Sequence, residues 1–311
     1  MKKFLIYLLI LVTSFSLVGC SKGKSVPASE KTIIIGVMPD VESIPFIIAE
    51  KNGYFEKEGV KVKLEHFKSA KDRDSALQAG QLDGVISDIL AVVFANEGGI
   101  SLRIVSNTAG NIELLAGKSS GISSISDLKG KSVGMSTNTI MEYSADQMLT
   151  AAQITPEDIK KEAIPPIATR LEMLQGGKVD AAILPEPLAG LAVKNGARVL
   201  NSTDLMANKA GAIAFTAKSL QENHEQIKAV IRAYNDGVGY LQKEPVSTYI
   251  DFLIQQQSFP AEVKDSIKLP QYTNAALPSE QIFKSVVQWM KGKNSIKNYE
   301  YKALVDDSVL R

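Results

Sequence analysis

Four carboxylates, Asp40, Asp88, Glu142 and Glu186, fall on or beside turns that follow short apolar runs. Acids gathered in one cleft repel small anions and pair with ammonium and other N–H donors. The turn Ser136-Thr137-Asn138-Thr139 offers the complementary chemistry. Thr139 and Glu142 have capping-box spacing, which starts a helix. The backbone N–H groups and positive end of a new helix suit an anionic or carbonyl oxygen. A ligand that satisfies both sets has an oxygen acceptor at one end and a donor or positive group at the other. No Arg or Lys is expected on these turns. Arg73 and Arg170 fall on helices, at equivalent places in a repeat, which favours a structural role.

Catalytic spellings fail on context. Gly117-Lys118-Ser119-Ser120-Gly121 has the letters of a nucleophile elbow, but a turn-rich stretch follows where the elbow demands a helix. Gly130-Lys131-Ser132 ends like a phosphate-binding loop, yet Ile125 stands where its first Gly belongs and a strand comes next. The two histidines, His66 and His224, are expected in a strand and near a helix start, as packed or solvated side chains. The expectation is a binder, with no catalytic residue, metal or cofactor.

A repeat positions the turns. Arg73, Leu77, Gln78, Gly80, Asp83 and Ile86 recur as Arg170, Leu174, Gln175, Gly177, Asp180 and Ile183. Upstream, Ile35-Gly36-Val37-Met38 pairs with Val133-Gly134-Met135-Ser136 at nearly the same offset. Gly80 and Gly177 supply the left-handed residue that ends a helix, and Asp83 and Asp180 then lead a short apolar strand. Residues 33–37 and 131–135 read as buried strands, each followed by a polar loop and a helix. Alternating strands and helices imply α/β lobes with mostly parallel sheets. Two such lobes leave a cleft between them, and ligands of open α/β sheets bind outside the carboxyl ends of the strands.

The expected cleft wall follows. Asp40, Ser43, Ile44 and Pro45 come from the first loop, and Ser87 and Asp88 from the end of a later strand. The second lobe gives the turn 136–139, then Glu186 and Pro187. Tyr143, one turn into the second-lobe helix, is placed to stack or hydrogen-bond. Lobe one is expected over 32–115 plus 212–311 and lobe two over 117–210. Strands at 112–117 and 211–216 stand at the crossings. Helices at 223–242, 246–255, 261–268 and 279–291 then return to pack on lobe one.

The amino terminus carries its own signal. Lys2 and Lys3 precede a largely apolar run from Phe4 to Val18, too short to span a bilayer comfortably. Leu17-Val18-Gly19-Cys20 resembles the lipobox of bacterial lipoproteins. It implies a signal peptide at 1–19, an acylated Cys20 as mature residue 1, and a membrane anchor on the extracytoplasmic face. The Ser/Lys/Pro-rich stretch 20–31 reads as a flexible tether. Cys20 is the chain's one cysteine, which excludes a disulfide or a thiol nucleophile from the remainder. Lys+Arg (35) nearly balance Asp+Glu (34), so no global field favours nucleic acid. A monomer is expected.

One stretch carries a family resemblance. Pro45-Phe46-Ile47-Ile48-Ala49-Glu50-Lys51-Asn52-Gly53-Tyr54-Phe55-Glu56-Lys57-Glu58-Gly59-Val60-Lys61-Val62 resembles a signature of extracytoplasmic solute-binding proteins. The similarity is to the superfamily of sulfonate, nitrate and taurine binders and thiamine-pyrimidine binders. Residues 79–83 and 179–187 match its other recurring phrases. The resemblance implies a type II periplasmic-binding-protein fold that closes on a small ligand and hands it to an ABC permease and its ATPase. The implied ligand is a small organic nitrogen- or sulfur-containing nutrient, sulfonate- or taurine-like. The alternative is a thiamine-precursor pyrimidine or similar heterocycle. An enzyme on the same fold, a pyrimidine synthase or hydrolase, is the remote alternative.

Overall fold

The computed structural model describes residues 31–293 and 296–311. The expected signal peptide, Cys20 and nearly all of the tether lie outside the described residues. From its first strand the chain alternates β1 (Thr32–Val37), α1 (Ile44–Lys51), α2 (Tyr54–Lys57), β2 (Lys61–His66) and α3 (Ala70–Gln78). It continues through β3 (Gly84–Asp88), α4 (Ile89–Glu97) and β4 (Leu102–Asn107). A second round follows, with β5 (Ile112–Ala116), β6 (Ser132–Met135), α5 (Ile140–Ala151), β7 (Lys160–Ala163), α6 (Ile167–Gln175), β8 (Ala181–Pro185), α7 (Leu188–Lys194) and β9 (Arg198–Ser202). The return leg is β10 (Gly211–Thr216), α8 (Ala217–Glu222), α9 (His224–Lys243), α10 (Ile250–Gln257), α11 (Glu280–Lys293) and α12 (Tyr301–Leu304).

Two five-stranded sheets result, ordered β2-β1-β3-β10-β4 and β7-β6-β8-β5-β9. They are one plan built twice. In each, the three strands that begin the order run parallel, and the fourth runs antiparallel to its neighbours. Four of the five strands in each sheet thus run one way, mostly parallel as expected, and the one reversed strand is received after a crossing from the other sheet. That exchange also corrects a boundary. Ile112–Ala116, expected at the end of lobe one, pairs with β8 and β9 in the second sheet. Strand propensity is local, whereas membership of a sheet depends on partners far along the chain.

The repeated residues hold each sheet to its helix. Asp83 accepts from Ile34 N–H at 3.0 Å, and Asp180 from Ser132 N–H at 2.9 Å. Arg73 Nη1 donates to Ile86 O at 3.1 Å, and Arg170 Nη1 to Ile183 O at 2.7 Å. Room for each arginine stem comes from the repeated glycine. A Cβ on Gly36 would lie 3.2 Å from Arg73 Cγ, and one on Gly134 would lie 3.4 Å from Arg170 Cγ.

The carboxyl-terminal helices pack mainly on the first sheet's side, α9 against α1 through Phe46 and Tyr234 and α11 against α4 through Phe283 and Val286. The stretches 246–255 and 261–268 are shorter than a continuous helix. Each opens with a 3-10 turn after a proline, and α10 starts only at Ile250. Phe259 and Val263 also join the core beneath α7, so the tail braces both sheets. Among the described residues, no helix is long and apolar enough to cross a membrane.

Candidate functional site

Strand ends from both sheets meet at a narrow cavity. Asp40 and Glu42 follow β1, Ser87 and Asp88 end β3, Ser136 and Thr139 follow β6, and Pro185 and Glu186 end β8. The two sides touch beside it, where Val41 N–H donates to Glu186 O at 3.2 Å. About 50 Å³ is open to the centres of water molecules, room for only a few. Met38, Val41, Ile86, Ile112, Ile140 and Ile167 make the remaining wall largely apolar.

Of the expected wall residues, Asp40, Ser87, Asp88, Ser136, Thr139 and Glu186 line this cavity. Others do not. Ser43, Ile44 and Pro45 lie buried behind the wall, because the chain coils into a helix at once after Asp40. Ser43 donates through N–H and Oγ to Asp40 Oδ1, at 3.1 and 3.2 Å, and so fixes that carboxylate. Pro187 is spent as the N-cap residue of α7. Thr137 and Asn138 face a neighbouring opening of about 550 Å³, with Lys71, Asp74 and Gln78 of α3 and Phe94 of α4. Tyr143 is fully buried; its hydroxyl lies 3.2 Å from Asn208 Oδ1 and 3.0 Å from Ser285 Oγ. Its ring meets Trp289 edge-on at 5.7 Å.

The helix start at Thr139 is already occupied by the protein's own anion. Thr139 Oγ1 accepts from Met141 N–H, and Glu142 Oε2 accepts from Asn138 N–H at 2.7 Å. Glu142 lies off the cavity, paired with Lys161 at 2.9 Å and with Lys293. Burial alone would raise its pKa. The two lysines and the Asn138 N–H outweigh that and hold it below the usual range.

The remaining acids behave in the opposite way. Burial pushes Glu42 up to about 8, helped by the charge of Asp40. It pushes Glu186 up to about 7 against the Gly190 N–H bond, and Asp88 up to about 6 against the pull of Arg73. Asp40 also rises to about 6, burial outweighing the Ser43 bonds. A low-dielectric pocket disfavours the charged form of each. Among the described residues, three buried polar atoms on the wall lack a hydrogen bond: Ser87 Oγ, Glu186 Oε1 and Arg73 Nη2, although the last sits 2.8 Å from Asp74. Such orphans in a concave wall are where a ligand finds its partners.

Three charged residues of the wall escaped the sequence reading. Glu42 sits in the one-turn helix Val41–Ser43, where nothing local distinguishes inward from outward. Arg73 and Arg170 do line the cavity, beside the structural bonds expected of them. The repeat itself was the signal, since each reaches from its helix to the middle of the sheet's third strand.

An interlobe cleft at the strand ends of two equivalent sheets defines the periplasmic-binding-protein class. Residues 40–248 match the NMT1/THI5-like family model, and the chain belongs to that family. A putative ABC transporter periplasmic binding protein of Brachyspira hyodysenteriae is 25% identical over 260 residues, 78% of this chain and 75% of that one. A putative aliphatic sulfonates-binding protein of Bacillus subtilis is 26% identical over 280 residues, 86% of this chain and 82% of that one. Among solved structures, the alkanesulfonate-binding protein SsuA from Xanthomonas axonopodis pv. citri, bound to MOPS, superposes with a TM-score of 0.76. It is 18% identical, over 88% of this chain and 98% of that one. The desulfurization enzyme DSZB has the same fold, with a TM-score of 0.65, 12% identity, and coverage of 90% of this chain and 98% of that one.

Proposed function

We propose that this protein is the substrate-binding component of an ABC importer, capturing a small organic nitrogen- or sulfur-containing solute in the interlobe cavity. The observation that carries this is the cavity itself, with acids from both sides and the unpartnered Ser87 Oγ and Glu186 Oε1 on its wall. The acids favour a zwitterion or a nitrogen heterocycle over a bare inorganic anion, since Asp40, Glu42, Asp88 and Glu186 outnumber the two arginines of the wall, most of whose donors are taken by backbone carbonyls and Asp74. Taurine-like compounds and aminopyrimidines both meet that requirement. A permease and its ATPase are the expected partners. Catalysis is disfavoured because, among the described residues, no base is hydrogen-bonded to Ser87 Oγ and no histidine lines the cavity. Carboxyls titrating near neutrality are nevertheless what an acid–base enzyme would use, and DSZB has this fold.

A thermal-shift screen of sulfonates, taurine, nitrate and aminopyrimidines tests the reading. A specific ligand at 100 times its Kd adds about 2.7 kcal/mol of stability. Failure of every compound class to raise the melting temperature counts against solute capture, and turnover of the bound compound replaces it with an enzyme.

We further propose that Cys20 is lipidated and holds the domain at the extracytoplasmic face of the membrane. Cys20→Ala is expected to leave the precursor unprocessed and the protein lost from its normal membrane fraction. Wild-type processing and retention of the variant contradicts the anchor.

A further inference from the structure

Two helices from opposite sides of the cleft meet behind the turn at Ser136–Thr139. On the second sheet's side, α5 carries Glu142 and Asp146, held by the packing of Ala145, Met148 and Leu149. From the first sheet's side, α11 brings Trp289 and Lys293, one helical turn apart. α11 is fastened there by Phe283, Val286 and Met290, which pack with Leu90 and Val93 of α4. Lys293 pairs with Glu142, and Trp289 Nε1 donates to Asp146 Oδ2 at 3.1 Å. The Lys293 ammonium lies 5.1 Å from the centre of the Trp289 ring, so the two side chains travel together.

Glu142 is buried, and its two oxygens serve different parts of the molecule. Oε2 accepts from Asn138 N–H at 2.7 Å. A capping acid at this place in a helix turns back to the N–H of the cap residue, here Thr139. Glu142 reaches one residue further. Asn138 stands at φ 56, a left-handed conformation uncommon outside glycine. Holding its N–H fixes the turn that presents Ser136 and Thr139 to the cavity. Oε1 accepts from Lys161 of β7 at 2.9 Å and from Lys293. Lys161 also donates to Asp146 at 2.6 Å, so one lysine of the second side serves two buried acids. Lys293 and Trp289 complete the compensation from across the cleft.

On the reading that this cavity captures a solute, we infer that Glu142 and Lys293 are positioning residues for it: Lys293 steadies, through Glu142, the second-side turn of the cavity wall, and does so only while the two sides stand together. Parting the sides withdraws Lys293 and Trp289 as a unit and leaves Lys161 to balance Glu142 and Asp146. A buried carboxylate with less compensation holds Asn138 less firmly. The turn is therefore firm in the shut cleft and looser in the open one, which ties the shape of the wall to closure.

Amide hydrogen exchange of the full-length protein, with no solute added, tests this on the peptide spanning 136–141. Lys293→Met is expected to speed exchange there by about fivefold or more, while the strands β1 to β3 keep their wild-type rates. Lys293→Arg keeps the charge and a carboxylate-matched donor, and is expected to restore most of the protection. Glu142→Gln is expected to loosen the same peptide at least as much. If that variant does not fold, Lys293→Met carries the test, since the Lys293 side chain is 33% exposed and its loss leaves Glu142 paired with Lys161. Unchanged exchange at 136–141 in Lys293→Met overturns the inference. A uniform rise along the whole chain overturns it too, because that marks lost stability instead of lost positioning. Neither result bears on solute capture, which the compound screen decides separately.

Discussion

At the scale of single residues, the acids of the cavity determine how the empty protein responds to pH. A carboxyl whose pKa is higher folded than unfolded binds more protons in the folded chain, so stability falls as pH rises between the two values. Glu42 rises from 4.5 to about 8 and Glu186 from 4.5 to about 7, while Asp40 and Asp88 rise from 3.8 to about 6. Their contribution is therefore fully present below about pH 4 and lost by about pH 8. The ligand-free melting temperature is expected to drop between pH 5 and 8.5, by about 2–4 °C for each kcal/mol lost. Glu42→Gln should flatten that drop, and a wild-type profile unchanged in the variant rules Glu42 out as a contributor. Asp40, Asp88 and Glu186 were legible in the sequence because each stands at the end of a short apolar run. Glu42 was not, because two residues past Asp40 it lies in a single 3-10 turn whose inward face is set by Thr108, Gly110 and Gly211.

At the scale of elements, the repeat was legible because it is a packing motif. Gly on the first strand admits Arg from the helix, whose guanidinium binds the third strand's middle residue, and Asp ties that strand's start back to the first. Which sheet a crossing strand joins was illegible at β5, since its partners β8 and β9 lie far along the chain. The role of α5 was also misread at Tyr143. One helical turn past the Thr139 cap, the side chain points to α11 instead of the cavity, into a contact completed by Trp289 Nε1 donating to Asp146 at 3.1 Å. Tyr143→Phe removes the hydroxyl's bonds to Asn208 and Ser285 and is expected to cost about 0.5–1.5 kcal/mol in urea unfolding. Ligand affinity should stay within about twofold. A tenfold loss of affinity without loss of stability would return Tyr143 to the site.

At the scale of the whole molecule, two sheets with the same strand order share a cavity and exchange one strand each. The crossings at 108–111 and 203–210 are short, and the tail braces both sides through α10 and α11. Hinge closure needs few rotating residues when the moving parts are this regular. A solute that binds the closed arrangement more tightly than the open one shifts the population toward closure. Small-angle scattering with the compound that gives the largest thermal shift tests this most directly. The account predicts a smaller radius of gyration on saturation, with the compound recovered chemically unchanged. An unchanged radius at saturation, or a compound consumed during the measurement, contradicts it.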